Sequence, residues 1–166
     1  MIIVHTGDGK GKTTAAIGLA VRAFGSGLKV LILQFIKGGQ NSGELDALKL
    51  LPIEIHQCGR GFTSSGNFDE HKAAAAETLK IARDEILSSR WNMIILDEIN
   101  YAVKFGLIAE TEMLDLLKIC PPELHLVLTG RNATEKLIDA ADLVTEMKLV
   151  KHPFQRGVPA QRGIEF

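Results

Sequence analysis

Aromatic side chains are scarce in this chain: one Trp, one Tyr and seven Phe make up 5% of its 166 residues. Proteins that stack single-stranded bases rely on such side chains, so their scarcity argues against that class. Charge of one sign is lacking too, since 19 Lys and Arg face 20 Asp and Glu for a formal net charge of -1. The balance gives no electrostatic ground for a nucleic-acid or membrane partner. There are only two cysteines, Cys58 and Cys120, far apart and in no CxxC pattern. They outline neither a disulfide framework nor a zinc site and read as buried free thiols. No apolar run approaches the ~20 residues that a membrane-spanning helix needs. The N-terminus carries no basic stretch followed by a long apolar one, so no signal peptide is expected and the expected location is cytoplasmic.

What is present is ordinary for a globular domain: 46% hydrophobic and 23% charged residues. The length suits one domain with a real core, and no boundary or repeat divides residues 1–166. Short apolar runs alternate with longer helical patterns. Strands are predicted over Met1–His5, Val30–Phe35, Ile53–His56, Trp91–Leu96, Leu124–Leu128 and Leu143–Leu149. Helices are predicted over Lys12–Phe24, Leu45–Leu51, Asn67–Ser89, Thr111–Lys118 and Thr134–Ala141. Asn67 followed by Glu70 reads as a capping arrangement at the start of the longest helix. Such alternation predicts an α/β fold with a mostly parallel sheet, and the continuous apolar strands predict helices on both faces. The stretches Lys37–Gly43 and Cys58–Gly66 and the tail Lys151–Phe166 fit no element.

The strongest local signal is T-G-D-G-K-G-K-T-T at Thr6–Thr14. It follows the first strand and opens the first helix, which is the context a P-loop requires. Glycines let successive N–H groups turn inward as an anion nest, and the helix start adds its unpaired amides and the positive end of its dipole. Gly7, Asp8, Gly9, Lys10, Gly11, Lys12, Thr13 and Thr14 are therefore candidate nucleotide-binding residues. Lys12 supplies charge to the outer phosphates, and the Thr13 hydroxyl can ligate Mg²⁺. The loop is a variant: Thr6 stands where the usual pattern opens with glycine, and Gly7 and Gly9 follow.

Asp97 and Glu98 end the apolar run Met93–Leu96. Open α/β sheets bind ligands at the C-terminal ends of their strands. An acidic residue there holds the metal in P-loop sites, so Asp97 and Glu98 join Thr13 as candidate Mg²⁺ ligands. Glu98 and Lys12 are the candidate catalytic residues. Arg131, in Thr129-Gly130-Arg131, closes the next strand and can neutralise phosphate charge. Arg22 lies one helix deep behind the loop and by itself reads as a surface residue. The five histidines show no metal-ligand spacing, and His5 and His125 read as packed or hydrogen-bonded within strands.

The chain resembles the P-loop type of ATP:cob(I)alamin adenosyltransferase, also called corrinoid adenosyltransferase, across nearly its whole length. The matching segments are TGDGKGKTTAA (Thr6–Ala16), QFIKG (Gln34–Gly38), GRGF (Gly59–Phe62), LDEINYA (Leu96–Ala102), LTGRNA (Leu128–Ala133) and the tail Val150–Phe166. The resemblance implies a RecA-like P-loop fold of three layers. It implies ATP, Mg²⁺ and a reduced corrinoid as ligands, with cobalt attacking the ribose C5′ and displacing triphosphate. It implies that Arg22 and Arg131 are nucleotide-directed and that Phe62 serves the corrinoid pocket. It also implies a homodimer and an electron-donating reductase that makes Co(I). Two departures stand out. Ser64 occupies a place where the family often has a second aromatic, and many members carry a segment before the first strand. The corrin site is therefore expected to be more open, filled by another side chain such as Phe68, or completed by a partner subunit. The rival readings are a plain P-loop ATPase with Glu98 activating water, a kinase, and a nucleotide-gated corrinoid carrier without turnover.

Overall fold

The computed structural model describes residues 1–39, 42–61 and 67–165. Six strands form one sheet: β1 (Ile2–Thr6), β2 (Val30–Gln34), β3 (Glu54–Gln57), β4 (Met93–Asp97), β5 (His125–Thr129) and β6 (Leu143–Glu146). Their order is β3-β2-β4-β5-β1-β6, and every pairing is parallel. The expected "mostly parallel" sheet is thus parallel throughout, as helical crossovers between successive strands require. Six helices join them: α1 (Lys12–Gly25), α2 (Gly43–Leu48), α3 (Phe68–Leu87), α4 (Ile99–Lys104), α5 (Glu110–Lys118) and α6 (Glu135–Ala140).

The central strands are buried on both faces, and two apolar layers result. On one face Ile3, Ile32, Ile95 and Val127 meet the alanine stripe of α1, Ala16, Ala20 and Ala23. Alanines at this spacing share one helix face and let the helix lie close to the sheet. On the other face Val4, Leu33, Ile94, Leu96 and Leu128 meet Ala75, Leu79 and Ala82 of α3 and Met113 and Leu116 of α5. Each fully buried large aliphatic side chain stabilises the fold by about 1.5–3 kcal/mol, so these two layers hold the sheet between them. This is the three-layer α/β P-loop architecture the sequence predicts.

Three local departures have physical causes. Helix α4 was not anticipated, because six residues are too few to display a periodic pattern. Strand β6 stops at Glu146 rather than Leu149, because the next residue, Met147, accepts a hydrogen bond from the Gly9 amide in the loop after β1. The tail holds a short 3₁₀ turn, Pro153–Arg156, started by His152, whose Nδ1 accepts from the Phe154 amide. Asn67 is the N-cap of α3, but its side-chain oxygen accepts from the Asp69 amide, at 3.1 Å, and not from that of Glu70. Cys58 and Cys120 are free and half-buried, with burial pushing both thiols up. His5 is buried, and neither ring nitrogen has a partner among the described residues. It is therefore packed rather than hydrogen-bonded, and burial pushes its pKa down.

Candidate active site

Strand order decides which ends meet. β5 lies between β1 and β4. The loop after β1 therefore shares the C-terminal sheet edge with Asp97 and Thr129. The loop bends where left-handed backbone is needed, at Gly7 (φ 92°) and Gly11 (φ 114°), which glycine adopts without steric cost. It is also clamped from above. A side chain on Gly7 or Gly9 would place its Cβ 2.5 or 2.6 Å from the Met147 carbonyl oxygen. Gly9 N–H donates to that carbonyl at 2.6 Å, and Met147 N–H donates to the Thr6 carbonyl at 2.8 Å. Gly11 caps α1 without any side-chain bond, leaving the first amides of the helix free to meet an anion.

Lys12 folds back over the loop and donates to the Gly7 and Gly9 carbonyls at 2.7 and 2.5 Å. Burial and the nearby Arg131 charge depress its pKa, while Asp8 and Glu98 oppose them. Arg131 Nε lies 4.0 Å from Asp8 Oδ1 with both side chains largely exposed; a pair of that kind adds about 0–1 kcal/mol. Arg131 is thus free to turn to phosphate.

Asp97 is buried and bonded through both oxygens. Its Oδ1 accepts from Thr13 Oγ1 at 2.8 Å and Thr129 Oγ1 at 2.7 Å, and its Oδ2 accepts from Gln34 Nε2 at 3.0 Å. Thr129 Oγ1 also accepts from Glu98 N–H at 2.9 Å. One threonine on β5 therefore holds both members of the acidic pair, which sequence reading did not assign. Glu98 itself adopts left-handed backbone (φ 65°) at the start of α4, and its Oε2 is buried without a partner among the described residues. Burial, then the adjacent Asp97 charge, push its pKa from 4.5 to about 7, against the pull of Lys37 and Lys12.

That shift has a sign. The folded chain holds a proton on Glu98 between pH about 4.5 and about 7 where the unfolded chain does not. The stability this contributes is fully present below the lower value and lost as pH rises through the upper one. Glu98→Gln is therefore expected to gain stability relative to the unmodified chain as pH rises across that window. Urea melts of both proteins at pH 5 and pH 8 test it; equal differences at the two pH values would refute the buried carboxyl.

The cleft so formed has a volume of about 660 Å³. Lys10–Thr14, Lys37, Glu44, Glu98, Tyr101, Thr129–Arg131 and Gly163–Glu165 line it. The tail enters because Lys10 Nζ donates to the Ile164 carbonyl and pairs with Glu165 Oε1 at 3.3 Å. Lys37 Nζ donates to Glu44 Oε1 at 2.8 Å. Burial works to lower the Lys37 pKa, but the bond to Glu44 and the charges of Asp97, Glu44 and Glu98 outweigh it and the net shift is upward. Sequence reading assigned nothing to Gln34 and Thr129, which hold Asp97, or to Lys37 and Tyr101, which line the cleft. All four lie inside the quoted motif segments, and that was their only signal.

One expected residue is not brought here. Arg22 lies in the last turn of α1 and lines a shallow depression with Met1, Ile3 and Met93 at the opposite sheet edge. Ten residues of helix carry it about 15 Å from Lys12. Within one chain it does not line this cleft. Phe62 and Ser64 lie outside the described residues. The backbone before them is fixed, since Gly61 N–H donates to the Ile36 carbonyl at 2.8 Å and Gly59 N–H to the Lys37 carbonyl at 3.0 Å. Gly38 and Gly59 cross here so closely that a Cβ on either would overlap backbone carbonyl of the other segment.

Among the described residues no cluster of three or more His, Cys, Asp and Glu forms a metal cage. The donors at the cleft floor are a hydroxyl and two carboxylates, with the Glu98 oxygen unpartnered. Hard oxygen donors completed by substrate phosphates are what Mg²⁺ prefers, so this set fits that ion. No helix among the described residues is long and apolar enough to cross a membrane.

Comparison with known proteins gives one family. The model of the ATP:corrinoid adenosyltransferase BtuR/CobO/CobP family matches residues 1–166. A corrinoid adenosyltransferase of Pseudomonas aeruginosa is 40% identical over 169 residues, covering 100% of this chain and 83% of its own length. One from Escherichia coli is 39% identical over 167 residues, covering 100% and 85%. Among solved structures, the flagellar accessory protein FlaH from Methanocaldococcus jannaschii aligns with a TM-score of 0.57. Its 12% identity, over 87% of this chain and 69% of that one, shows a shared fold alone.

Proposed function

The chain belongs to the ATP:corrinoid adenosyltransferase family, and from that premise we propose how its cleft carries out the reaction. The enzyme is a transferase that moves the 5′-deoxyadenosyl group of ATP to a reduced corrinoid. The observation that carries this reading is convergence. Five of the six segments that matched the family by sequence line one cleft, and the sixth is bonded to its wall at Ile36 and Lys37.

The Co(I) of the corrinoid substrate supplies an electron pair to the ribose C5′. The Co–C bond forms as the C5′–O bond breaks, and the second electron pair leaves on triphosphate. Cobalt is the nucleophile, so no protein base is required. The work left to the chain is positioning and charge stabilisation. The Gly7–Thr14 loop and the start of α1 hold the triphosphate by their amides. Lys12 exchanges the Gly7 and Gly9 carbonyls for phosphate oxygens, and Arg131 closes over them from beyond Asp8. Thr13, Asp97 and Glu98 would hold Mg²⁺, with Thr129 and Gln34 fixing the Asp97 carboxylate. Bound there, Mg²⁺ supplies charge neutralisation to the phosphates. Phe62 faces the corrinoid in this reading, and the crossing at Gly38 and Gly59 ties the backbone before it to the Gln34–Gly38 segment. A homodimer, a cytoplasmic location and an electron-donating reductase belong to the same proposal.

The deciding experiment mixes the protein anaerobically with MgATP and chemically reduced cob(I)alamin. A light-sensitive adenosylated corrinoid with intact triphosphate, by absorbance and phosphorus NMR, is expected. ADP and phosphate with unchanged corrinoid would overturn the reading in favour of an ATPase. Phe62→Ala is expected to weaken corrinoid binding or reduction by about tenfold or more while leaving ATP affinity unchanged. Loss of ATP binding in that variant would make Phe62 a structural residue instead.

A further inference from the structure

The segment Gln34–Gly38 leaves β2 at the same sheet edge where Asp97 ends β4. Gln34 has a role in holding Asp97; Lys37 has none in the account above. Its ammonium lines the cleft that Lys12 and Thr13 line. Its side chain is only 24% exposed, which is unusual for a residue type that is almost never buried without a partner. Glu98 feels the charges of Lys37 and Lys12 together, and all three residues line the cleft.

Lys37 is also held in place from behind. Its carbonyl accepts from Gly59 N–H at 3.0 Å, and Cys58 N–H donates to the Gln34 carbonyl at 3.0 Å. The crossing at Gly38 and Gly59 leaves no space for a Cβ on either strand of backbone. A surface lysine has no need of such anchoring. Glu44, on the first turn of the short helix α2, holds the ammonium at 2.8 Å and itself lines the cleft. An exchangeable carboxylate is what a phosphate oxygen can replace with little change in charge or geometry.

We propose that Lys37 is a second polyphosphate-binding residue, which exchanges Glu44 for the triphosphate portion of ATP. The inference rests on the adenosyl-transfer reading of the cleft. In a hydrolase the charge that develops sits near the terminal phosphate. In this transfer the C5′–O electron pair ends on the α-phosphate oxygen, so a cation is needed toward that end as well as at the outer phosphates. Lys12 and the glycine loop serve one part and Lys37 serves another. Lys37 also stands next to the Gly59–Gly61 segment, whose amides are bonded to the Lys37 and Ile36 carbonyls.

The test uses the full chain and two probes, inorganic tripolyphosphate and adenosine, by isothermal titration with Mg²⁺ present. Lys37→Met is expected to raise the Kd for tripolyphosphate by about tenfold or more, with adenosine affinity unchanged and Lys37→Arg restoring most of the loss. Glu44→Gln is expected to tighten tripolyphosphate, because Lys37 no longer has a partner to give up. Wild-type tripolyphosphate affinity in Lys37→Met overturns the proposal. Should Lys37→Met fail to fold, Glu44→Gln decides alone: unchanged or weaker tripolyphosphate binding overturns it. The two readings fail separately. ADP and phosphate as products, together with weakened tripolyphosphate in Lys37→Met, would remove adenosyl transfer and keep the Lys37 contact. Adenosylated corrinoid with unaffected tripolyphosphate would do the reverse.

Discussion

Lys12→Ala is expected to lower kcat/KM for ATP by about 10²- to 10³-fold, with the fold intact by circular dichroism. Lys12 is the residue whose charge sits inside the glycine loop, bonded to two of its carbonyls. Removing it leaves those carbonyls without that donor and, on the proposed reading, takes a cation from the departing triphosphate. Arginine should not rescue the activity, because a planar fork cannot make the same two turns within the loop. Steady-state kinetics with saturating cob(I)alamin checks this, and near-normal turnover in the alanine variant would sink the P-loop assignment.

The second large effect is expected from a single methyl group. Gly38→Ala puts a Cβ into the Gly59 carbonyl, where neither atom belongs to a flexible side chain. Overpacking of this kind costs about 1–3 kcal/mol, and backbone on both sides places this case at the upper end. For a chain of this size that lowers Tm by about 5–10 °C. The same shift should move Lys37 and the segment leading to Phe62, so corrinoid affinity should fall with stability. A thermal melt and a corrinoid titration on one preparation check both. A variant that melts like the parent would mean that the crossing is looser than drawn.

The P-loop was legible because it is contiguous. Strand, glycines, Lys12, Thr13 and helix start lie in one run, and local rules suffice for them. Asp97 and Glu98 were legible because a buried apolar run that ends in two carboxylates marks a strand end at a ligand edge. Thr129, Gln34 and Lys37 were not, because their importance depends on strand order. Only the placement of β5 between β1 and β4, and of β2 beside β4, brings them to Asp97. Family resemblance covered their segments without giving them roles. Arg22 owed its nucleotide role to the resemblance alone; ten residues along α1, it lies away from the cleft of its own chain, where the local pattern put it. The tail was opaque for a related reason. Its contact with Lys10 spans nearly the whole chain, and irregular backbone carries no period to read.

The Met147 carbonyl that clamps Gly7 and Gly9 has a consequence for synthesis. The glycine loop is translated long before the residue that props it. A nascent chain bearing β1, the loop and α1 has the Lys12 bonds within the loop but not the Met147 bond that clamps it from outside. The clamp arrives when β6 slots in beside β1 and the residue behind it closes over the loop. Closure of the loop is thereby tied to topological completion.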